Sequence, residues 1–291
     1  VAGLGLDILY LPDIGMDALT YTLAFSRLAP VQCVGWGHPV TTGLPTVDYS
    51  LSARDLDAEG AEEHYTETLV RLPRLGVVYD RPEAPPGPRR EHFGLSADAH
   101  LYACPQTLFK FHPEFDPLLA EILRRDAAGL LVLIEGRCAH WNEMLLGRFR
   151  RVMPDMCDRV RMLGRLSRPD YLRLLASCDV MLDPIHFGGG NTSYEALALG
   201  LPVVTWPSPY LRGRLIYAMY RQMGFTDLVA TDAAGYVARA VRLGTEPDHR
   251  QAVRRQIGEA AGVLYGDMAV VHELEQALLA MAEAARRRPG V

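Results

Sequence analysis

Apolar residues along this chain fall into two alternating patterns. Short unbroken runs, such as LLVLI at 130–134 and VMLD at 180–183, are separated by stretches whose apolar positions recur every three or four residues. The first pattern predicts strands and the second predicts helices. In the first segment the runs predict strands over residues 6–11, 31–36 and 47–51, with a helix over 17–27. In the second they predict strands over 100–104, 130–134, 159–163, 180–183 and 202–206. Leu118, Leu119, Ile122 and Leu123 form one apolar helix face between two of these strands. Ser167 followed by Pro169 and Asp170 marks a helix start, after which Leu172, Leu175 and Ala176 face inward. Gly200, Gly224 and Gly244 follow helical runs and are expected as C-caps. Strands without internal alternation suit a parallel sheet covered on both faces. The expected class is therefore a doubly wound α/β fold.

Residues 81–88 (RPEAPPGP) carry four prolines in eight positions. Proline removes backbone donors and resists both helix and central strand. This stretch is the expected linker, dividing residues 1–80 from residues 89–291. A chain of 291 residues favours two such domains. It opens directly on a strand-like run, which reads as a cut in a longer protein. The net charge of −5 leaves no electrostatic footprint for nucleic acid. No run has the length and apolarity of a membrane span, and no signal-peptide pattern opens the chain. The five scattered cysteines lack metal-ligand spacing and are expected as buried, reduced thiols of a cytoplasmic protein. No metal is expected.

The most informative segment runs from Asp179 to Trp206. It reads strand, Gly-rich loop, helix, strand. Gly188, Gly189 and Gly190 allow close backbone approach, and Asn191, Thr192 and Ser193 open the helix. A helix start presents free N–H groups to an anion, at the strand end where open α/β sheets bind ligands. Glu195, one turn in, can accept from a ribose diol. By itself the segment also fits a Gly-rich turn with a polar cap. It is neither a Walker A loop nor a dinucleotide fingerprint. Lys110 is the only lysine in the chain and stands in a loop before a helix. It can meet a leaving diphosphate or simply be solvated. His112 beside it is expected as a loop or capping residue. Arg168 and Tyr171 flank another helix start, where the tyrosine ring can stack on a base or pack against the sheet. Gly37, His38 and Pro39 form a turn after a strand, and His38 is a candidate proton-transfer group. Asp55 and Asp57 are expected in a surface loop.

Four segments together resemble the O-GlcNAc transferase family, including its SPINDLY-type and bacterial tetratricopeptide-linked members. They are RLAPVQCVGWGHPVTTG followed by DY, then TLFKFHPEF, then GRLSRPDYLRLLASCDVMLD, then GGGNTSYEALALGLPVVTWP. The resemblance spans nearly the whole chain. It implies a GT-B architecture of two Rossmann-like domains, here the donor-binding domain and the last part of the N-terminal one. It implies inverting, metal-independent transfer of a sugar, GlcNAc or glucose, from UDP to Ser or Thr hydroxyls of a protein or peptide. The UDP-sugar is a substrate, and no cofactor is implied. By the same resemblance Lys110 contacts the diphosphate, and Gly189, Gly190, Asn191, Thr192 and Ser193 surround the phosphates. Arg168, Tyr171 and Glu195 stand near base and ribose, where the family often has lysine, histidine and aspartate. Gly37, His38 and Pro39 line the sugar and acceptor side. Tetratricopeptide repeats are expected upstream in the full-length protein. A non-catalytic nucleotide-sugar-binding module and a GT-B transferase for a non-protein acceptor remain alternatives.

Overall fold

The computed structural model describes residues 1–83, 86 and 90–287. Its contacts divide the chain into two units. The first comprises Val1–Val78, Pro209–Arg212 and Asp267–Val291, and the second Tyr79–Ser208 and Gly213–Gly266. Positions 84, 85, 87 and 88 of the proline-rich stretch lie outside the described residues.

The first unit holds a parallel four-stranded sheet in the order β1-β2-β3-β4. The strands are β1 (Ile8–Leu11), β2 (Val31–Gly35), β3 (Tyr49–Ala53) and β4 (Thr68–Leu72), with α1 (Ala18–Ala24) between the first two. Asp17 caps α1 by accepting from the Thr20 amide at 2.7 Å. Strand β2 is buried throughout, as expected of a central parallel strand. The C-terminal helix α9 (Ala269–Arg286), expected with the second segment, packs here instead. Its Met281 and Ala285 join Val31, Cys33, Leu51 and Leu72 in one apolar cluster, and Arg74 pairs with its Glu273 and with Asp267. Asp57 is also not a surface residue. It is buried, accepting from Ser52 and, at 3.0 Å, from the Tyr65 hydroxyl.

The second unit holds a parallel five-stranded sheet, order β7-β6-β5-β8-β9. Its elements run β5 (His100–Ala103), α2 (Asp116–Arg125), β6 (Gly129–Ile134), α3 (Ala139–Val152), β7 (Val160–Leu163), α4 (Arg168–Ser177), β8 (Val180–Leu182), α5 (Asn191–Ala198), β9 (Val203–Val204), α6 (Leu215–Met223), α7 (Ala233–Thr245) and α8 (Pro247–Ala260). The predicted face of α2 is buried at Leu118, Leu119, Ile122 and Leu123. At α4, Ser167 accepts from the Asp170 amide and donates to its carboxylate, closing the predicted cap. Before β8, Asp179 takes a bidentate pair from Arg90 at 2.8 and 2.9 Å and the Leu101 amide at 2.8 Å. That network anchors the N-terminal ends of β5 and β8.

Gly200 and Gly224 adopt the left-handed conformation expected after a helix. Gly244 does not, and it lies inside α7. Close packing explains it: a Cβ there would sit 2.0 Å from the Tyr102 hydroxyl oxygen. Of the cysteines, Cys33, Cys104 and Cys178 are buried, whereas Cys157 is partly exposed and Cys138 exposed.

Candidate functional site at the strand ends of the second unit

Strands β5 and β8 are neighbours, so the loops leaving their C-terminal ends lie side by side. The first loop turns through 3₁₀ segments at Leu108–Lys110 and Pro113–Phe115. The second is the Gly-rich segment that enters α5. Lys110 Nζ donates to the Gly188 carbonyl at 2.7 Å and to Gln106 Oε1 at 3.3 Å. It also lies 4.4 Å from the centre of the Phe187 ring. Gln106 in turn donates to Thr192 Oγ1 at 2.7 Å. Lysine, glutamine, Gly-rich loop and helix start thus form one hydrogen-bonded group. Burial lowers the Lys110 ammonium below its ordinary range, opposed by the negative charge of Asp183 and by Cys104.

Asp183 is the clamp beneath this group. It is fully buried at the end of β8 and accepts from the Gly189 amide at 2.9 Å and the Thr205 hydroxyl at 2.8 Å. Burial raises its carboxyl to about 6, with those two donors and Lys110 opposing. None of the three loop glycines has a positive φ among the described residues. Two of them serve close packing instead. A Cβ on Gly188 would meet Asp183 Oδ1 at 2.8 Å, and one on Gly189 would meet Thr192 Oγ1 at 2.4 Å and Gln106 Nε2 at 2.6 Å. Gly190 has open space around it.

At the tip of α5 the amides of Ser193 and Tyr194 are taken by the Gly190 carbonyl. Those of Asn191 and Thr192 precede the helix ladder. Ser193 is wholly buried and its hydroxyl donates back to Gly189 O at 2.8 Å. It holds the loop's shape. Glu195 lies 3.7 Å from Arg168, which brings together two residues assigned to base and ribose. Burial raises the Glu195 carboxyl, opposed by Arg168. The Tyr171 hydroxyl is buried without a hydrogen-bond partner, while the residue as a whole stays partly exposed. The polar end of the ring therefore points into the protein. His112 caps the Pro113–Phe115 turn by accepting from the Glu114 amide at 3.3 Å, as expected of a capping histidine.

Gly37, His38 and Pro39 belong to the first unit, in the loop after β2. Burial holds the His38 imidazole below its ordinary pKa. Its ring fits only because Gly15 lacks a side chain: a Cβ there would stand 2.5 Å from His38 Cε1. A Cβ on Gly37 would meet the Pro12 carbonyl at 2.9 Å. The same loop is clamped by Glu67, which accepts from the Thr41 hydroxyl and the Thr42 amide, each at 2.7 Å, and from the Thr42 hydroxyl.

Gln106, Asp183, Thr205 and Glu67 were not among the expected site residues. The usable signal was a polar residue just beyond an apolar strand, as in CPQ after β5 and LDP after β8.

Two parallel α/β sheets, one with a lysine and a helix tip gathered at its strand ends, define a GT-B-type glycosyltransferase fold. The O-GlcNAc transferase of Thermobaculum terrenum, solved as a K341M mutant, superposes with a TM-score of 0.83 at 28% identity. The match covers 98% of this chain and 54% of that one. An Anabaena protein, HepE, solved with UDP and glucose, shares the fold at a TM-score of 0.63 and 13% identity, over 94% of this chain and 78% of that one. The chain belongs to glycosyl transferase family 41, whose family model matches residues 80–263. A UDP-glucose:protein N-beta-glucosyltransferase of Actinobacillus pleuropneumoniae is 30% identical over 263 residues, 89% of this chain and 42% of that protein. A Solanum lycopersicum protein named "Probable UDP-N-acetylglucosamine--peptide N-acetylglucosaminyltransferase SPINDLY" is 28% identical over 241 residues, 80% of this chain and 25% of that protein. The chain spans less than half the length of these curated relatives.

Proposed function

We propose that this chain carries the donor-binding machinery of a protein glycosyltransferase that uses a UDP-sugar. The observation that carries the reading is the Lys110–Gly188–Gln106–Thr192 group at the start of α5. It joins the one lysine of the chain to a helix tip with two available amides. When the acceptor attacks the anomeric carbon, the bond from that carbon to the diphosphate oxygen breaks and UDP leaves with developing negative charge. A partly desolvated ammonium and oriented N–H groups stabilise such charge strongly, because they need no reorganisation at the moment of reaction. They supply the role a divalent cation takes elsewhere, so transfer proceeds without one. A single displacement inverts the anomeric centre.

In this reading Asn191 and Thr192 bind phosphate, Gly189 and Gly190 let it approach, and Ser193 fixes the loop. Glu195 and Arg168 hold the ribose, and the exposed part of Tyr171 lies against the uracil. Gly37 and Pro39 shape the sugar and acceptor side. His38, kept neutral by burial, is suited to receive the acceptor proton. The acceptor is a Ser or Thr hydroxyl of a cytoplasmic protein and the sugar is GlcNAc, with tetratricopeptide repeats upstream in the full-length protein. The 30% identity to an N-glucosyltransferase supports a second reading, glucose placed on a side-chain nitrogen.

Thermal denaturation with UDP and with GDP tests donor binding, since a ligand that binds only the folded state raises its midpoint. UDP raises it and GDP does not. Incubating the full-length protein with acceptor peptides and either UDP-GlcNAc or UDP-glucose separates the two sugar readings by product mass. No shift with any nucleotide and no transfer from either donor would overturn the proposal.

A further inference from the structure

The two loops that build the phosphate cradle also bring together three metal-ligating side chains that the transfer chemistry does not use. His112 lies two residues after Lys110, and His186 two residues before Gly188. With Glu114 they form a group whose ligand atoms all lie within 4.8 Å of one another. His186 Nε2 is 2.7 Å from Glu114 Oε2, and His112 Nδ1 is 3.9 Å from the same oxygen. The two imidazole rings meet edge to face with centroids 4.5 Å apart. Tetrahedral bonds of about 2.0–2.1 Å place ligand atoms roughly 3.3 Å apart, and the two observed separations straddle that value.

The backbone brings the three residues together from both sides. His112 and Glu114 come from one 3₁₀ turn, and the hydrogen bond that His112 Nδ1 accepts from the Glu114 amide at 3.3 Å is released when that nitrogen takes the ion. His186 is fixed opposite them by the Lys110–Gly188 and Gln106–Thr192 bonds that tie its loop to theirs. A plain His–Glu ion pair has no need of the second imidazole, whereas a chelate does. Other exposed pairs, His272 with Glu275 and His140 with Glu143, each lack that third ligand among the described residues.

We propose that His112, Glu114 and His186 form an accessory site for one borderline transition-metal cation, of the Zn²⁺ or Ni²⁺ kind. Two imidazoles and one carboxylate suit those ions better than Mg²⁺ or Ca²⁺, which prefer all-oxygen shells. The side chains are 48%, 67% and 41% exposed in chain order, so water or another ligand completes the shell. The site shares its two loops with the proposed phosphate contacts, but its three side chains are not among the residues assigned to the diphosphate.

The test is calorimetric titration of Zn²⁺ into the nucleotide-free chain in a Cys138→Ser background, since Cys138 is an exposed thiol. One equivalent binds. His112→Ala, His186→Ala and Glu114→Gln each weaken that binding at least about tenfold, and His272→Ala leaves it unchanged. Metal-free melting midpoints show that each variant is folded before titration. Absence of Zn²⁺ binding below millimolar concentration overturns the proposal. So does binding that His112→Ala and His186→Ala leave intact.

Discussion

Each unit fixes a loop at a strand end with one buried carboxylate, but the two carboxylates are set oppositely. In the first unit Glu67 holds the loop that carries His38, Thr41 and Thr42. Burial alone would raise its pKa. The hydroxyls of Thr42 and Thr41 and the amides of Glu67 and Thr42 together bring it below its ordinary value. In the second unit Asp183 holds the Gly-rich loop with one amide and one hydroxyl, and burial raises it to about 6. The number of donors measured against the depth of burial decides the direction. A carboxylate with many donors makes a loop rigid and keeps its charge. One with few donors, set under a cationic side chain, keeps its proton to higher pH. The first unit thus positions a neutral imidazole, and the second a cation with its counter-charge.

Lysine 110 gives the sharpest way to break that comparison. Lys110→Ala should lower transfer by roughly 100- to 1000-fold and abolish the UDP-induced thermal shift, measured by peptide glycosylation and by melting. If UDP still protects the variant fully, the cradle is misassigned. His38→Ala should act differently. Transfer falls by about 100-fold while UDP affinity stays within a factor of two or so, because the change lies outside the unit that carries the Lys110 group. A parallel loss of UDP affinity would erase the division of labour between the units.

Two adjacent glycines sharpen the second unit. Gly189→Ala drives a methyl group into Thr192 and Gln106 and should cost about 1–3 kcal/mol in stability or donor binding. Gly190→Ala meets open space and should change either by only a few tenths of a kcal/mol, about the scale of an ordinary surface substitution. Calorimetric UDP titration of the pair decides it, and equal effects would mean that the loop repacks.

The carboxylates predict opposite pH signatures. The folded state binds a proton on Asp183 more readily than the unfolded chain does. Its contribution therefore falls as pH rises from about 3.8 to about 6, and is constant above that. Glu67 has the reverse sign, stabilising above the ordinary glutamate range and losing that contribution as pH falls through its lowered pKa. Asp183→Asn should remove the first slope, on the order of 3 kcal/mol across that range, and Glu67→Gln the second, in urea unfolding followed across pH. The same slope in both variants would show that the two clamps do not differ.

Much of this was legible in the chain. Lys110, Asn191, Thr192 and Glu195 sit at the strand ends where the strand–loop–helix pattern places them. That pattern follows from backbone geometry and needs no knowledge of neighbours. What escaped depends on contacts between distant segments. Helix α9 is amphipathic whichever sheet it covers, so its sequence does not say that Met281 and Ala285 meet Val31 and Leu51. Gly244 looks like a helix stop until Tyr102, far away in sequence, is seen to occupy the space of its Cβ. Strand β4 contains Thr68 and Arg71 and gives only a weak apolar run. Asp183 is a polar letter whose partner Thr205 lies 22 residues on, across two elements, and Asp57 is held by Ser52 and Tyr65, whose approach needs the fold around them.

The scarcity of lysine has a practical corollary. A lysine-specific endoprotease has a single cleavage point in these 291 residues, after Lys110. That bond lies where the 3₁₀ segment Leu108–Lys110 is pinned to the Gly-rich loop. Cutting there reports the opening of that one corner, with two fragments as the readout and every other surface silent. A nucleotide that closes the corner would lengthen the life of the intact band.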